Sequence, residues 1–358
     1  MKNIITLAFF LVLLFSFNSF SDDYKTEIFA TQEKVIWGFD FLKDGKVVFS
    51  EKSGNLYLFD PKTKTLTLIS GTPKVLDEGQ GGLLDVKVHP TNGYIYLTYS
   101  EKVGEDKSTT ALGRGKLDGS ELTFEKLFSA QPASSNTHHY GSRVVFDGKG
   151  HLFLSIGERG ERPWVQKLDT HIGKIIRLNE DGSVPKDNPY VGVKNALPEI
   201  WSYGHRNPQG MSMRSGTEEL WVAEMGPKGG DEINLIEPKN NYGWPVITYG
   251  REYTGGKIGE GKKKKGMEEP VHYWVPSISP SGMTFYTGDK MPEWKGNMFL
   301  GLLSGEHIRR VILDGTKVKD QEELLKDLGW RFRQVRTGPD GYLWFSTDDG
   351  KLGRVLKK

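Results

Sequence analysis

The feature that most constrains the fold of this 358-residue chain is a phrase of sequence that occurs six times. Each copy has a turn containing Asp, Asn or Gly, a run of alternating apolar residues, and a second polar turn. The copies are LKDGKVVFSEKSGNLYLFD (42–60), VHPTNGYIYLTYS (88–100), FDGKGHLFLSIGERG (146–160), MRSGTEELWVAEMG (213–226), WKGNMFLGLLSG (294–305) and TGPDGYLWFSTDDGKLGRV (337–355). Alternation with a period of two is typical of half-buried strands.

The spacing of the copies predicts the architecture. They begin about 45 to 80 residues apart, which suits four-stranded units joined by loops of unequal length. We therefore predict an all-β fold, a six-bladed β-propeller with four-stranded blades, over residues 22–358, with a pair of β-sandwiches as the alternative. The best candidate for a helix is DQEELLKDLG (320–329), and no helix longer than about two turns is expected.

The N-terminus indicates export. Lys2 precedes an apolar run from Ile4 to Phe17, and Ser19-Phe20-Ser21 forms a small-x-small cleavage site. Residues 1–21 are therefore predicted to be a secretory signal peptide, which places the mature protein in a periplasm or outside the cell. The chain has no Cys, so its stability must come from its core, a bound metal or the closure of the fold.

Charge and apolar content argue against binding to nucleic acid and against a membrane span in the mature chain. Lys and Arg total 48 and Asp and Glu 46, a net charge of +2, so no strong field directs the protein to nucleic acid. The basic run at 255–269 is rich in Gly and flanked by acids, which indicates a solvated loop rather than a phosphate site. No apolar run beyond the N-terminus is long enough to span a membrane.

Ligands of propellers bind where loops from several blades converge, so polar loops are the candidates for a site. Four loops are unusually polar, at 77–86, 134–147, 204–210 and 330–341. With IGERG in the third unit they supply Gln80, His138, His139, Glu158, Arg206, Asn207, Arg331 and Arg333. Imidazole, carboxylate and guanidinium groups together suit an anionic, planar ligand and a proton transfer. Taken singly, each residue also fits a structural or surface role.

A second stretch, AEMGPKGGDEINLIEPKNNYGWP (223–245), raises the question of a metal. Asp231 and Glu232 lie beside Gly-rich turns that expose carbonyls, and oxygen ligands of this kind suit calcium. The chain lacks Cys and has no paired His spacing typical of zinc. A solvated acidic turn is the alternative interpretation.

These motifs resemble a known family over essentially the whole mature chain. GQGGLLDV (79–86), HHYGSRVVFDGKGHLFLSIGERG (138–160), IWSYGHRNPQGM (200–211), the stretch 223–245 and WRFRQV (330–335) occur in this order. They are similar to the soluble pyrroloquinoline-quinone (PQQ)-dependent sugar dehydrogenases of the glucose/sorbosone dehydrogenase family, and most of all to the periplasmic aldose sugar dehydrogenase branch. The family fold is a six-bladed propeller.

The resemblance implies catalytic roles. His139 is the expected general base, which takes the proton of the anomeric hydroxyl of an aldose while hydride passes from that carbon to C5 of the quinone. Glu158 is expected to orient His139, and Arg206 to stabilise the charge that develops on the quinone.

The resemblance also implies binding residues. Its expected PQQ contacts are Gln80, Arg206, Asn207, Tyr253, Arg331 and Arg333. A catalytic Ca²⁺ is expected on the carbonyls of Gly226 and Pro227, and a structural Ca²⁺ on Glu232 and the Tyr242 carbonyl. The partners it implies are an aldose substrate and an external electron acceptor, either a soluble cytochrome or a quinone.

Two departures from the family bear on function. Relatives carry a cofactor-binding Lys in the fifth-blade loop, where this chain has Leu303, Ser304 and Gly305. His138 stands where the glucose-specific branch has an acid, so sugar preference does not transfer from that branch.

Two rival functions remain open from the sequence. One is a non-enzymatic exported propeller that binds a glycan or a protein, which the missing Lys favours. The other is a calcium-dependent lactonase or esterase, which requires a metal-bound water and several carboxylate or Asn ligands at the channel mouth.

Overall fold

A computed structural model describes residues 23–358, and the predicted signal peptide lies outside the described residues. The strands form six separate four-stranded antiparallel sheets, which confirms the predicted six-bladed propeller. Blade 1 comprises β2 (Ile36–Phe41), β3 (Val47–Glu51), β4 (Leu56–Asp60) and β5 (Thr65–Ile69); blade 2 comprises β6 (Leu83–Val88), β7 (Ile95–Val103), β8 (Lys107–Asp118) and β9 (Glu121–Ser129). Blade 3 comprises β10 (Gly141–Phe146), β11 (His151–Ile156), β12 (Lys174–Asn179) and β13 (Ile200–Tyr203); blade 4 comprises β14 (Pro208–Met213), β15 (Leu220–Glu224), β16 (Asp231–Ile236) and β17 (His272–Trp274). Blade 5 comprises β18 (Pro280–Phe285), β19 (Met298–Leu302), β20 (Ile308–Asp314) and β21 (Lys317–Leu324); blade 6 comprises β22 (Phe332–Thr337), β23 (Leu343–Thr347), β24 (Lys351–Lys357) and the N-terminal β1 (Tyr24–Thr31).

Strand β1 closes the ring. It pairs antiparallel with β24 from Tyr24 opposite Lys357 to Thr31 opposite Lys351, so blade 6 combines both ends of the described chain. Closure of this kind covers the edge that β24 would otherwise present to solvent.

The repeated phrase marks the second strand of every blade. Its six copies contain β3, β7, β11, β15, β19 and β23. These six strands are almost wholly buried, and each pairs with the innermost strand of its blade across a register shift. The register shift lies at the start of the innermost strand in all six blades, so a bulge bends the chain there. The loops that enter these strands lie at the same end of the channel.

The core is divided among the blade interfaces. Each pair of neighbouring blades shares one buried apolar cluster, from Val48 against Leu97 between blades 1 and 2 to Phe49 against Trp344 between blades 6 and 1. Because the sequence has no Cys, the stability of the fold comes from these interfaces and from ring closure, without disulfides.

The predicted helix at 320–329 is wrong. The segment continues β21 to Leu324 and then forms a single 3₁₀ turn, Lys326–Leu328, after Leu325 at φ 59°. As the outermost strand of blade 5, β21 has polar side chains on its exposed face, and its charges gave it the composition of a helix. The other short helices are the 3₁₀ turns Arg162–Trp164 and Pro292–Trp294. Within residues 23–358, no helix has the length and hydropathy to cross a membrane.

Candidate active site

A wide cavity of about 690 Å³ lies at one end of the channel, where loops of several blades meet. It is lined by Gln80, His139, Arg206, Asn207, Met225, Gly226, Pro227, Lys228, Gly229, Arg251, Tyr253, Val275, Pro276, Ser277, Ser279, Leu303, Ser304 and Arg331. The structure thus brings together most of the residues that the sequence singled out. Within residues 23–358, no Asp or Glu side chain lines this cavity. Its walls therefore carry cations and neutral groups, which suits an anionic ligand.

His139 lies just before β10, in contact with Glu158 from the loop that follows β11. Its Nδ1–H donates to Glu158 Oε1 at 2.6 Å, and its backbone N–H donates to Gln80 Oε1 at 2.8 Å. Because the carboxylate occupies Nδ1, the lone pair of the neutral imidazole lies on Nε2. The pair provides a proton acceptor on a residue that lines the cavity.

Burial sets the charges of this pair. It is the largest influence on His139 and lowers the pKa of the imidazole to about 4, while Arg206 acts in the same direction and Glu158 opposes them. Burial also acts to raise the pKa of Glu158, but the hydrogen bond and charge of His139, together with Arg206, leave that pKa below its usual value. At neutral pH the imidazole is therefore neutral and the carboxylate ionised, as a general base and its orienting acid require.

The segment GHRNPQG divides its polar residues between the cavity and the core. His205 is fully buried, with Nδ1 on Glu224 at 3.1 Å and its ring stacked on Tyr242 at 4.8 Å, so its role is structural. Gln209 is also buried and faces the channel axis, where its Oε1 accepts from Arg333 at 3.2 Å.

Arg206 and Asn207 are the members of that segment that reach the cavity. Arg206 Nη1 donates to the carbonyls of Met225 at 2.9 Å and Gly226 at 2.7 Å. Its Nε–H is buried and has no hydrogen-bond partner within the described chain. Glu158 Oε2 is likewise buried and without a partner there. Buried polar atoms without partners are rare, and Arg206 belongs to the wall of a cavity that can receive a ligand.

The two predicted arginines of blade 6 differ in position. Arg331 precedes β22 and lines the cavity, whereas Arg333 does not reach its wall. Both donate through Nε to Asp348, at 2.9 Å and 2.7 Å respectively. Arg333 therefore supports Arg331 through a shared carboxylate.

The carbonyls predicted to bind the catalytic calcium belong to the loop between β15 and β16. Gly226 and Pro227 line the cavity, and the Gly226 carbonyl already accepts from Arg206, which leaves it one lone pair. Asp231 holds this loop: its carboxylate accepts from the Gly226 N–H at 2.8 Å and from Ser277, Ile278 and Ser279. Both Asp231 oxygens are used in these bonds, so this residue fixes the loop and does not face the cavity as a ligand.

Glu232 and Tyr242 lie at a second, much smaller cavity of about 10 Å³, whose lining also includes Glu224 and Thr248. Burial first, and Glu224 second, raise the pKa of Glu232 well above its usual value. Asn234 Nδ2 donates to Glu224 at 3.1 Å and to Glu232 at 3.3 Å, which holds the two carboxylates near each other. Two acids beside an ion-sized space form a set of oxygen atoms that fits a cation.

Sequence reasoning missed two cations of the cavity. Lys228 and Arg251 belong to different loops of blade 4 and pair through their backbones, with N–H to carbonyl distances of 3.1 Å and 3.2 Å. The sequence shows that both residues are cationic, but it does not show the backbone pairing that brings them together at the wall. At the fifth-blade position that lacks the family Lys, Ser304 Oγ lies 2.8 Å from Ser279 Oγ.

Comparison with known proteins identifies the family to which these residues belong. The sequence profile of the Glucose / Sorbosone dehydrogenase family matches residues 33–357. Aldose sugar dehydrogenase YliI of Escherichia coli is 43% identical over 330 residues, covering 90% of this chain and 89% of that protein.

Solved structures match closely as well. The crystal structure of the soluble aldose sugar dehydrogenase from Escherichia coli in the apo-form has a TM-score of 0.90 at 41% identity, covering 94% of this chain and all of that one. The PQQ-bound form of aldose sugar dehydrogenase from Streptomyces coelicolor has a TM-score of 0.78 at 26% identity, over 93% of this chain and 97% of that one. With the family profile covering nearly every described residue, the chain belongs to the glucose/sorbosone dehydrogenase family, among the aldose sugar dehydrogenases.

Proposed function

We propose that the protein is a PQQ-dependent dehydrogenase that oxidises the C1 hydroxyl of aldose sugars to the lactone. The observation that carries the proposal is the neutral His139, held by Glu158 at 2.6 Å, on the wall of a cavity lined by cations. The substrate loses a proton from oxygen and a hydride from carbon, so the site needs both a base and a hydride acceptor.

The residues present fit PQQ. The cofactor is planar and carries three carboxylates, and the cavity offers Arg206, Lys228, Arg251 and Arg331 without a competing acid. Gln80, Asn207 and Tyr253 add neutral polar groups to the same wall, and Arg333 acts through Asp348. We propose that Lys228 and Arg251 supply the positive charge that relatives obtain from the fifth-blade Lys.

His139 is proposed as the general base. Its Nε2 takes the proton of the C1 hydroxyl, and ionised Glu158 stabilises the imidazolium that results. Bound PQQ supplies the acceptor for the hydride from C1. Arg206, whose Nε–H has no protein partner within residues 23–358, is proposed to bind a ligand oxygen and stabilise negative charge there.

Two calcium ions are proposed. One would be held by the carbonyls of Gly226 and Pro227, where it would act as a Lewis acid and anchor the cofactor. Because the cavity lining has no carboxylate, the negative charge at this ion must come from the cofactor itself. The second would be held by Glu232 and the Tyr242 carbonyl and would neutralise the half-buried Glu232 and the buried Glu224.

The surroundings of the reaction complete the proposal. We propose that residues 1–21 are removed on export, that residues 22–358 act as one catalytic domain in the periplasm or outside the cell, and that a soluble cytochrome or a quinone takes the electrons. The rival calcium-dependent hydrolase requires several carboxylate or Asn ligands around a metal-bound water, and the described lining offers only Asn207 of these.

Titration of the purified protein with PQQ and Ca²⁺, followed by dye reduction on addition of aldoses, tests the proposal. Saturable binding with sugar-dependent reduction supports it. Failure to bind micromolar PQQ in the presence of Ca²⁺ would leave the non-enzymatic binding propeller as the better account.

A further inference from the structure

Arg159 is a fully buried arginine in the IGERG turn, directly after Glu158, and the proposed reaction gives it no role. It is 1% exposed, and the charge of Glu161 offsets only part of the effect of burial on its guanidinium. Its guanidinium lies 3.6 Å from the centre of the Tyr140 ring, and burial lowers its pKa to about 10. A buried guanidinium without an ionic partner is unfavourable unless its hydrogen bonds compensate for lost water.

The side-chain hydrogen bonds of Arg159 go to the segment that leads into His139 and to β8 of blade 2. Nε donates to the carbonyl of His138 at 2.9 Å, and Nη2 donates to the carbonyl of Asn136. Nη1 donates to the Ser108 carbonyl at 3.0 Å and Nη2 to the Ser108 hydroxyl at 3.1 Å. One rigid, planar group therefore joins segment 136–139 to β8 of blade 2.

The backbone held in this way is in an unusual conformation. His139 has φ 55°, in the left-handed region that residues with a side chain seldom occupy. Such a residue keeps its conformation only when its surroundings fix it, and strained residues of this kind gather at functional sites. The carbonyl that Arg159 Nε binds belongs to the peptide bond immediately before His139.

The IGERG turn thus holds the proposed base at two points. Glu158 binds the imidazole at Nδ1, and Arg159 binds the preceding peptide. Arg159 is itself left-handed at φ 54° and is followed by Gly160 at φ 76°, so neighbouring side chains of the turn reach different parts of the same segment.

We propose that Arg159 is a positioning residue that keeps the His139 imidazole on Glu158 and in its neutral, cavity-facing state. The inference rests on the proposed function for its kinetic consequence, whereas the effect on the imidazole is a property of the cofactor-free protein. A lysine at this position has a single nitrogen in place of three, so it cannot reproduce the contacts that Nε, Nη1 and Nη2 make with His138, Ser108 and Asn136.

The test compares Arg159→Lys with Arg177→Lys in the full protein. Arg177 is a matched control because it is 7% exposed in the same blade and pairs with Asp187 at 3.1 Å, at the other end of the strands. The first readout is NMR titration of ¹⁵N-labelled imidazoles without cofactor, with the His139 signal assigned by its loss in His139→Ala. We expect the pKa of His139, about 4 in the native protein, to rise by at least about one unit in Arg159→Lys, because burial is the largest influence on this pKa and its relief outweighs the loss of the bond to Glu158. Arg177→Lys should leave it unchanged.

The second readout is kinetic. With PQQ and Ca²⁺ bound, we expect kcat of Arg159→Lys to fall about 10- to 100-fold, while KM for the sugar and Kd for PQQ change less than about threefold. A folded Arg159→Lys protein with an unchanged His139 pKa would overturn the inference. If that variant does not fold, Ser108→Ala removes one Arg159 acceptor, and it should move the His139 titration in the same direction; an unchanged titration there would also overturn the inference.

The two readouts separate failure of the inference from failure of the proposed function. If native protein neither binds PQQ nor oxidises sugars, the proposed function fails, and the NMR titration still decides the role of Arg159. If native protein is active and the titration of His139 is insensitive to Arg159, the inference alone fails.

Discussion

At the scale of single residues, the account depends on the protonation state of His139. Its imidazole is neutral at physiological pH because burial lowers its pKa to about 4, and the hydrogen bond to Glu158 fixes which nitrogen is free. The same burial that makes the ring a weaker base than free histidine ensures that it is always available as a base.

Replacing His139 with Ala should lower kcat by about 10²- to 10⁴-fold, the usual contribution of a positioned general base. Kd for PQQ should stay within a few fold, because the cations proposed to hold the cofactor are retained. Steady-state kinetics and fluorescence titration of the same preparations measure both. A variant with normal kcat would show that another group accepts the proton.

The pH dependence of the native enzyme follows from the same pKa. Because His139 must be unprotonated to act, kcat/KM should fall on the acid side near pH 4 and not near the usual 6.5 of histidine. Glu158→Gln removes the charge that favours the imidazolium, so it should lower kcat by about 10- to 100-fold. A pH profile with an acid limb at 6.5 would contradict the buried, neutral ring.

Loops and strands form the next scale. Blade 4 forms one wall of the cavity with two of its loops. A short backbone pairing between these loops places Lys228 beside Arg251. These are the cations that we propose replace the missing Lys of blade 5.

The double variant Lys228→Ala, Arg251→Ala should raise Kd for PQQ about 10- to 100-fold and make binding less sensitive to salt, because two charge-assisted contacts are lost. Lys257→Ala is the matched control, since it removes a cation from the same region that does not line the cavity. Equal Kd values for the double variant and the control would show that the cofactor's carboxylates are held elsewhere.

The small acidic cavity gives a prediction for calcium. Ca²⁺ at 100 times its Kd should raise the free energy of unfolding by about 2.7 kcal/mol. Glu232→Gln should abolish the effect, and Glu237→Gln, an exposed acid at the end of β16, should not. Thermal unfolding with Ca²⁺ and with EGTA measures the difference, and a Ca²⁺ effect that survives Glu232→Gln would refute the assignment.

At this scale the sequence predicted elements better than contacts. The repeated phrase located the second strand of each blade because a short apolar run between two polar turns is typical of a buried strand. The strands are buried on both faces, whereas their alternation predicted burial on one. The sequence did not predict that Arg331 would line the cavity while Arg333 would bind Gln209. The two arginines are two positions apart, so a pattern with a period of two places them on the same face. Asp231 looked like a calcium ligand, and only the folded loop shows its two oxygens engaged by neighbouring N–H and hydroxyl groups.

For the whole molecule, closure and burial set the stability. Removing residues 22–31 would delete β1 and expose the edge of β24, and it would also remove Tyr24, which packs 4.8 Å from Trp294. We expect this truncated protein to unfold at lower temperature and to associate, as unpaired edges do. Light scattering and thermal unfolding test this, and a stable monomer would contradict the role of β1.

Buried histidines give the molecule a pH-dependent stability. The pKa values of His139 and His307 are both lowered to about 4 by burial, so below pH 6.5 the unfolded chain binds protons that the folded protein does not. The free energy of unfolding should therefore fall as the pH drops from 6.5 towards 4, by on the order of 3 kcal/mol for His139 alone. Urea unfolding at pH 7 and pH 4.5 should show a smaller loss in His139→Ala than in the native protein; equal losses would contradict it.

The most direct test of the central claim is a single turnover under anaerobic conditions. Protein loaded with PQQ and Ca²⁺ is mixed with an aldose carrying hydrogen or deuterium at C1, and the cofactor's absorbance is followed. The account predicts reduction that is slowed by deuterium at C1 and slowed about 10²-fold or more by His139→Ala. Reduction that is indifferent to both changes would contradict it.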